Sequence, residues 1–522
     1  MNVALATLAG LGLALAFVSQ WVRWLRVLQR EHYEPASPLR FWRRWTFPSW
    51  GDLVATSGAR DALFVVSTVL WGLVPVTLVL AIAGHFAVAL VVDALLYGAL
   101  CPPGLSARGR TGALQWTRRL RTVAGGQLVL AFLAVAGGVI LGHPLVAAAL
   151  VVVTVPGTLA VAAAILEPYE RHRAQAFVAR ARQRLARVRP TVVAITGSYG
   201  KTSTKNHLAD LLSGDGGVVA TPKSFNNRAG LSRAINENLS DDTRVFVAEM
   251  GTYGPGEIRD LCEWCPPDVS VVTAIGPVHL ERMKSLDVIE RAKFEITARA
   301  RVVVVNVDDP RLASWPARLS DRRVRTAGSS SESADVRVVP TGEHWRVIVD
   351  GEEVATMDRV PGVQATNVAC ALAAALEVGA LTGELPRRLR AIRAVANRAT
   401  RSTAASGVVV IDDTFNANPA SARASLAALM EGDAPRRVVV TPGLVELGAS
   451  QRGENETLAH EIAQRGVELV IVGRTNRAAL RRGYGGAVRE FATREGAVAW
   501  VRAALGAGDA VLYLNDLPDH YP

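Results

Sequence analysis

The chain has 522 residues, half of them hydrophobic, and a formal net charge of +11; that length implies several domains. The charge does not mark a nucleic-acid binder, because it is local: residues 1–190 hold 19 Arg, no Lys and 7 acidic residues, and the remainder carries a net −1. The four cysteines supply no disulfide framework, and Cys262-x-x-Cys265 lacks the second pair that a four-ligand zinc site needs, so plain packing competes there with metal or redox work.

Long apolar runs cover residues 3–20, 62–82, 85–102, 122–141 and 143–166, with Asp93 their one charged residue. A membrane span takes about 20 apolar residues, so five transmembrane helices are expected in a membrane region of residues 1–189. The first is not a cleaved leader, since no basic residue precedes it and no small-residue cleavage site follows it. Arginines cluster between spans one and two (Arg23 to Arg60), between three and four (Arg108 to Arg121) and after span five (Arg171 to Arg189). The other two connections carry neither Arg nor Lys. The positive-inside rule then puts the N-terminus outside and everything after span five in the cytoplasm. Asp93 sits mid-span, where two readings stand: a functional acid, or a polar helix–helix face or arginine partner.

Residues 192–204 read VVAITGSYGKTST. An apolar run ends in a glycine turn and then Lys-Thr, where a helix should start. Gly197 and Gly200 let the backbone turn tightly around Ser198, and the helix behind them aims its partial positive end at an anion. Lys201 can reach β/γ-phosphate oxygens, the Thr202 hydroxyl can bind Mg²⁺, and Ser203 follows in the first helical turn. Ile195 stands where the general pattern has its first glycine.

From Thr191 onward, strand-like runs alternate with helical ones: 191–195, 244–248, 269–274 and 301–306, then 407–412, 437–441, 468–472 and 510–514. This alternation predicts parallel, helix-covered sheets. Between the two series, residues 336–355 read as a hairpin with Asp350-Gly351 at its turn, and 365–379 as a helix ending at Gly379. The basic, irregular stretch Arg390 to Arg401 suits a domain boundary.

Polar residues at strand ends are the candidates for chemistry. Glu249 closes one strand, His279 and Glu281 follow another, and Asn306-Val-Asp308-Asp309 ends a third. A lone acid or histidine in such a place is commonly a cap. Beside a Lys-Thr phosphate loop, Glu249 and His279 also suit Mg-phosphate chemistry.

Eight pieces in order, ITGSYGKTSTK, the NN of TPKSFNNRAG, AEMGTYGPGEI, TAIGPVHLERMKSLDVIERAKFEI, NVDDP, ATNVACALAAA, DDTFNANP and ELG, resemble the Mur ligases. These are ATP-dependent amide-forming enzymes of cell-wall synthesis, and the pieces are most similar to the branch that adds D-alanyl-D-alanine to a UDP-muramoyl tripeptide. The resemblance covers residues 191–448. It implies a P-loop central domain over 190–394 and a Rossmann-like C-terminal domain over 395–522, both α/β, after the α-helical membrane region.

It further implies ATP and two Mg²⁺. Lys201 resembles the phosphate lysine. Thr202 and Glu249 match ligands of the first ion and His279 a ligand of the second. Lys293 stands where the family carries a carbamoylated lysine, a metal-binding group. Asn367 and Arg398 match ATP contacts, Asp413 the ribose-binding acid, and Asn416 lies near the adenine position. The implied reaction phosphorylates a carboxylate to an acyl phosphate, which an amine then attacks.

The family's UDP-sugar domain has no counterpart here, and the apolar spans stand in its place. Its Gly-Arg-Gly-Glu reads Asn397-Arg398-Ala399-Thr400, and Lys223-Ser224 replaces a Gly-Asn. The expected protein is thus a membrane-anchored ligase joining a carboxylate-bearing envelope precursor, delivered at a lipid surface, to an amino acid or dipeptide. Alternatives are a poly-γ-glutamate synthase-like ligase and an ATP-driven membrane transport or scaffold protein. An amidating subunit with a glutaminase partner would need a four-cysteine zinc insert, which this sequence lacks.

Overall fold

A computed structural model describes residues 3–46, 69–77, 87–102, 105, 114–380, 382–394, 400–415, 417–517 and 521. The chain divides into two compact units: residues 1–173 with 473–478 and 517–522, and residues 174–472 with 479–516.

The first unit is helical. Among the described residues, two helices are long and apolar enough to cross a membrane, Val3–Arg30 and Arg118–Ile140. A third candidate is the pair Pro144–Val153 and Val155–Val188, which bends by 76° at Thr154. Pro156 in the first turn after the break has no N–H to continue the ladder, which accounts for the bend. Of the five expected spans, two or three meet that length and apolarity among the described residues. The run at 85–102 forms the shorter helix Ala87–Leu100, and the ends of the run at 62–82 lie outside the described residues.

The first helix also runs past residue 20, because its last turns remain useful. Gln20 Nε2 donates to the carbonyls of Tyr97 (3.4 Å), Gly98 (3.3 Å) and Cys101, and Arg23 Nη1 to Cys101 O at 3.0 Å. These side chains satisfy the orphan carbonyls at the C-terminal end of the Ala87–Leu100 helix. Asp93 is buried, and neither of its carboxylate oxygens has a partner among the described residues, so the arginine-partner reading is not realised there.

The second unit holds two sheets. The larger comprises β1 (Thr191–Thr196), β2 (Val218–Ala220), β3 (Val245–Glu249), β4 (Val269–Val272), β5 (Val302–Asn306), β6 (Arg323–Gly328), β7 (Val336–Thr341), β8 (His344–Val349) and β9 (Glu352–Asp358). Their spatial order is β2-β3-β1-β4-β5-β6-β7-β8-β9, parallel through β7 and antiparallel after it. The β1 to β5 strands are near-continuous apolar runs because both faces are covered. Val193, Ile195 and Val247 join a core with the Lys201–Leu212 and Ala365–Glu377 helices. Val192, Ala194, Phe246 and Ala248 point the other way, into a core with the Arg228–Asn238, Glu257–Trp264 and Leu286–Phe294 helices.

Cys262 and Cys265 are buried in that second core, where burial pushes the Cys262 thiol up to about 12, so the Cys-x-x-Cys is packing. The expected hairpin is real at Asp350-Gly351, where both residues have positive φ, as a two-residue turn between right-twisted strands requires. It is one half of a three-stranded meander, since β7 also pairs with β8.

The smaller sheet comprises β10 (Thr400–Thr403), β11 (Val409–Asp413), β12 (Arg437–Thr441), β13 (Glu468–Val472), β14 (Arg489–Phe491) and β15 (Ala510–Leu514), in the order β10-β11-β15-β12-β13-β14. All its pairings are parallel except β10 to β11 at the edge. In the larger sheet the chain moves outward on both sides of β1, so the carboxyl end of β1 is a topological switch point, where open α/β sheets bind ligands.

Candidate active site at the phosphate loop

The loop after β1 is held by its neighbour across that switch point. Ser198 N donates to Ala274 O at 2.7 Å, Ser198 Oγ to Gly276 O at 3.0 Å, and Gly276 N to Ser198 Oγ at 2.9 Å. Thr273 Oγ1 donates to Thr196 O at 3.2 Å and bonds Tyr199 O. A Cβ on Gly197 would lie 1.9 Å from Thr273 Oγ1. One on Gly200, which opens the helix at φ 78°, would lie 2.4 Å from Asn367 Oδ1. Only glycine fits either place. Ile195, at the position of the missing first glycine, is fully buried in β1, and the turn begins two residues later.

Lys201 Nζ folds back over the turn and donates to Gly197 O at 2.7 Å and Ser198 O at 3.4 Å. Ser203 is half-buried in the same first turn. Asn367, in the Ala365–Glu377 helix, closes the loop from the side by its contact with Gly200.

At the end of the adjacent β3, Glu249 sits in a buried network. Its Oε2 accepts from Thr202 Oγ1 at 2.9 Å and its Oε1 from Asn226 Nδ2 at 3.0 Å. Lys205 Nζ lies 3.2 Å from Oε2, with both side chains 1% exposed. Burial lowers the Lys205 pKa, and the Glu249 charge and hydrogen bond work against that shift. Hard oxygen donors from Thr202 and Glu249 suit Mg²⁺. Lys293 is buried on the Leu286–Phe294 helix, where burial first and the Lys201 charge second hold its pKa well below the ordinary lysine value.

The remaining predicted residues are placed differently. His279 adopts a left-handed conformation (φ 52°) at the start of the Leu280–Met283 turn, and its Nδ1 bonds Glu446 Oε2. Tyr253 packs on the ring edge-on at 4.6 Å between centroids. Leu280 N also donates to Glu446 O at 2.8 Å. Among the described residues, no group of three or more His, Cys, Asp or Glu could hold a metal ion. Asp413, buried at the end of β11, accepts from Ser425 Oγ at 2.8 Å. Arg398 and Asn416 lie outside the described residues.

The third polar strand end is a brace. Asn306 Nδ2 donates to Thr273 O at 2.7 Å, and Asp309 Oδ2 accepts from Ile275 N at 2.7 Å, so both stiffen the segment that holds the phosphate loop. Asp308 accepts from Ser329, Ser330 and Ser331 N–H groups, which outweigh burial and leave its pKa lowered.

Lys205, Asn226 and Glu446 were not among the candidates. All three stand inside the quoted pieces, as the last Lys of GKTSTK, the first Asn of NN and the Glu of ELG.

A phosphate loop at a switch point, backed by a buried hydroxyl–carboxylate pair, defines a nucleotide-dependent α/β enzyme. Residues 195–376 match the Mur ligase middle domain, and residues 397–514 the Mur ligase, glutamate ligase domain. The UDP-N-acetylmuramoyl-tripeptide--D-alanyl-D-alanine ligase of Mycobacterium tuberculosis (strain CDC 1551 / Oshkosh) is 32% identical over 358 residues, 62% of this chain and 69% of that protein. Two crystal structures are similar at 25% identity. MurF ligase from Thermotoga maritima in complex with ADP has a TM-score of 0.59 and covers 66% of this chain and 80% of its own. MurF from Acinetobacter baumannii has a TM-score of 0.57 over 66% and 77%. The chain belongs to the Mur ligase family and is an ATP-dependent ligase.

Proposed function

We propose that this protein joins the carboxylate of a peptidoglycan precursor to an amino acid or dipeptide, D-alanyl-D-alanine foremost, from a membrane-anchored position with its catalytic domains in the cytoplasm. What carries the reading is Glu249, closing a buried network with Thr202 and Lys205 beside the phosphate loop. The likeness to D-alanyl-D-alanine-adding ligases and the two long apolar helices support it.

In this reading, residues 190–394 bind ATP and residues 395–522 close over it, bringing Asp413 to the ribose, Asn416 near the adenine and Arg398 into contact with ATP. The Lys201 ammonium swings from the loop carbonyls onto the γ-phosphate, and the N–H groups of the following helix face the same charge. A substrate carboxylate oxygen bonds to the γ-phosphorus as the bond to ADP breaks, which leaves an acyl phosphate. The amine nitrogen then bonds to the carbonyl carbon, loses a proton, and the carbon–oxygen bond to phosphate breaks. Two anions meet in the first step, so cationic groups supply most of the assistance.

Thr202 and Glu249 would hold one Mg²⁺; His279 and Lys293 would contribute to a second. Bound there, the ions neutralise phosphate charge. Lys293 has the environment that carbamoylation requires, since a neutral amine adds to carbon dioxide and releases one proton.

The test is ADP release by detergent-solubilised protein with Mg-ATP and UDP-linked or lipid-linked muramoyl tripeptide, with and without D-alanyl-D-alanine. Turnover that needs both carboxylate and amine is expected, with oxygen-18 passing from the labelled carboxylate into phosphate. Turnover indifferent to both would favour an ATP-driven membrane machine instead.

A further inference from the structure

Tyr199 stands inside the phosphate loop, two residues before Lys201. Its backbone is fixed, since Thr273 Oγ1 bonds Tyr199 O and the preceding Ser198 Oγ bonds both N and O of Gly276. Its side chain lies against Gly276, where a Cβ would fall 2.1 Å from the phenol oxygen. That oxygen is buried and has no hydrogen-bond partner among the described residues. A buried tyrosine hydroxyl ordinarily finds one.

The charged groups around the phenol differ in what they have left to offer. Burial first, then the charges of Glu454 and Asp309, push the phenol above its ordinary pKa, and Arg423 works against them, so the hydroxyl keeps its proton and can donate it. Asp309 is committed: its Oδ2 accepts from Ile275 N at 2.7 Å and its Oδ1 from Arg311 N at 2.9 Å. Arg423 Nε is committed to Glu461 Oε1 at 2.9 Å. The Glu454 carboxylate makes no hydrogen bond among the described residues, and its ion pair with Arg423 Nη2 is a loose 3.7 Å. One buried donor and one acceptor are thus left over, on opposite sides of a junction.

The backbone shows where that junction is. Glu454 lies in the first turn of the Gln451–Gln464 helix, which belongs to the smaller sheet's layer. The Gly448–Ser450 turn ahead of it packs on the segment that holds the Tyr199 ring: a Cβ on Gly448 would lie 3.2 Å from Leu280 C, and Leu280 N donates to Glu446 O at 2.8 Å. Gly276, under the ring, is four residues from Leu280. Because the phenol oxygen is closed off from solvent, its partner comes from the protein and not from a bound substrate.

We infer that Tyr199 and Glu454 are a latch: the phenol donates to the carboxylate as residues 395–522 close over bound nucleotide, and the bond fixes the phosphate loop against the smaller sheet. Tyr199 is in this role a positioning residue. The inference rests on the closure over ATP in the ligase reading above.

The test uses the full chain in detergent, as wild type, Tyr199→Phe, Glu454→Ala and the double variant. Two quantities are measured: thermal unfolding without nucleotide, and calorimetric binding of the Mg²⁺ complex of the non-hydrolysable ATP analogue AMP-PNP. Tyr199→Phe deletes one unpartnered oxygen and keeps the ring, so its melting temperature without nucleotide should equal or exceed that of wild type. A hydrogen bond to a charged group corresponds to about ten- to hundredfold in affinity, so analogue binding should weaken about tenfold or more. Glu454→Ala should weaken it about as much, and the double variant should bind no worse than the weaker single variant. Undiminished analogue binding by Tyr199→Phe overturns the latch. So does a melting temperature more than about 2 °C below wild type without nucleotide, which would show the phenol already partnered. Losses that add in the double variant overturn Glu454 as the partner. None of these readouts needs an acceptor substrate. Carboxylate- and amine-dependent turnover together with normal analogue binding by Tyr199→Phe sinks the latch alone, whereas coupling of Tyr199 to Glu454 without such turnover refutes the ligase reading and leaves the latch standing.

Discussion

Lys205→Met tests how the Glu249 network is held together. Lys205 and Glu249 are each 1% exposed and 3.2 Å apart, and the carboxylate otherwise has only neutral donors, Thr202 and Asn226. Methionine fills nearly the same volume, so the change removes charge with little cavity. Breaking a buried pair by removing one partner costs about 3–5 kcal/mol. For a domain of this size that is a fall in melting temperature of roughly 6–20 °C. The assay is thermal unfolding of the full chain in detergent, with and without Mg-ADP. A divalent cation at Glu249 would replace the missing charge, so Mg-ADP should stabilise the variant more than the wild type, beyond ordinary mass action. A shift below about 2 °C, or equal Mg-ADP stabilisation of both proteins, refutes this account of the network.

His207 is buried, neither ring nitrogen has a partner among the described residues, and burial lowers its pKa from 6.5 to about 4. The unfolded chain therefore binds the extra proton as pH falls below 6.5. Stability is unaffected above that value and declines by about 3 kcal/mol towards pH 4. His207→Leu should flatten that part of the stability–pH curve, as read by denaturant unfolding at several pH values. Lys201→Ala should lower kcat/KM for ATP by about 10²–10³-fold while stability moves by no more than about 1 kcal/mol; an active variant contradicts the phosphate role. Gly200→Ala forces a Cβ into Asn367 at φ 78° and should weaken ADP binding more than about tenfold in equilibrium titration. Pairing it with Asn367→Ala should restore only part of the loss, because the φ strain stays.

What could be read from the sequence divides by range. The parallel strands, the Asp350-Gly351 turn and the Ala365–Glu377 helix rest on local apolar pattern and turn chemistry, and they stand within a residue or two of expectation. The glycine turn from β1 into the Lys201–Leu212 helix was legible for the same reason. Lys205 was not, although it lies in the same motif, because its meaning depends on a carboxylate 44 positions away. Glu446 is a longer case, 167 positions from His279. Acids at strand ends look alike in sequence: Glu249 faces the loop hydroxyl, whereas Asp308 and Asp309 brace backbone. Apolar composition alone does not separate a full crossing from the shorter Ala87–Leu100 helix or from a helix broken at Thr154.

The clasp between His279 and Glu446 ties the end of β4 to the loop after β12, and so one sheet of this unit to the other. An imidazole nitrogen serves one partner at a time. Whatever draws Nδ1 from Glu446 removes one of the bonds that hold the second sheet's loop, with the Leu280 N to Glu446 O bond left, and anything that tightens the clasp weakens that competitor by the same factor. Under the proposed metal role of His279, ion occupancy there and the separation of the two sheets are conjugate variables. A titration of one then reports on the other.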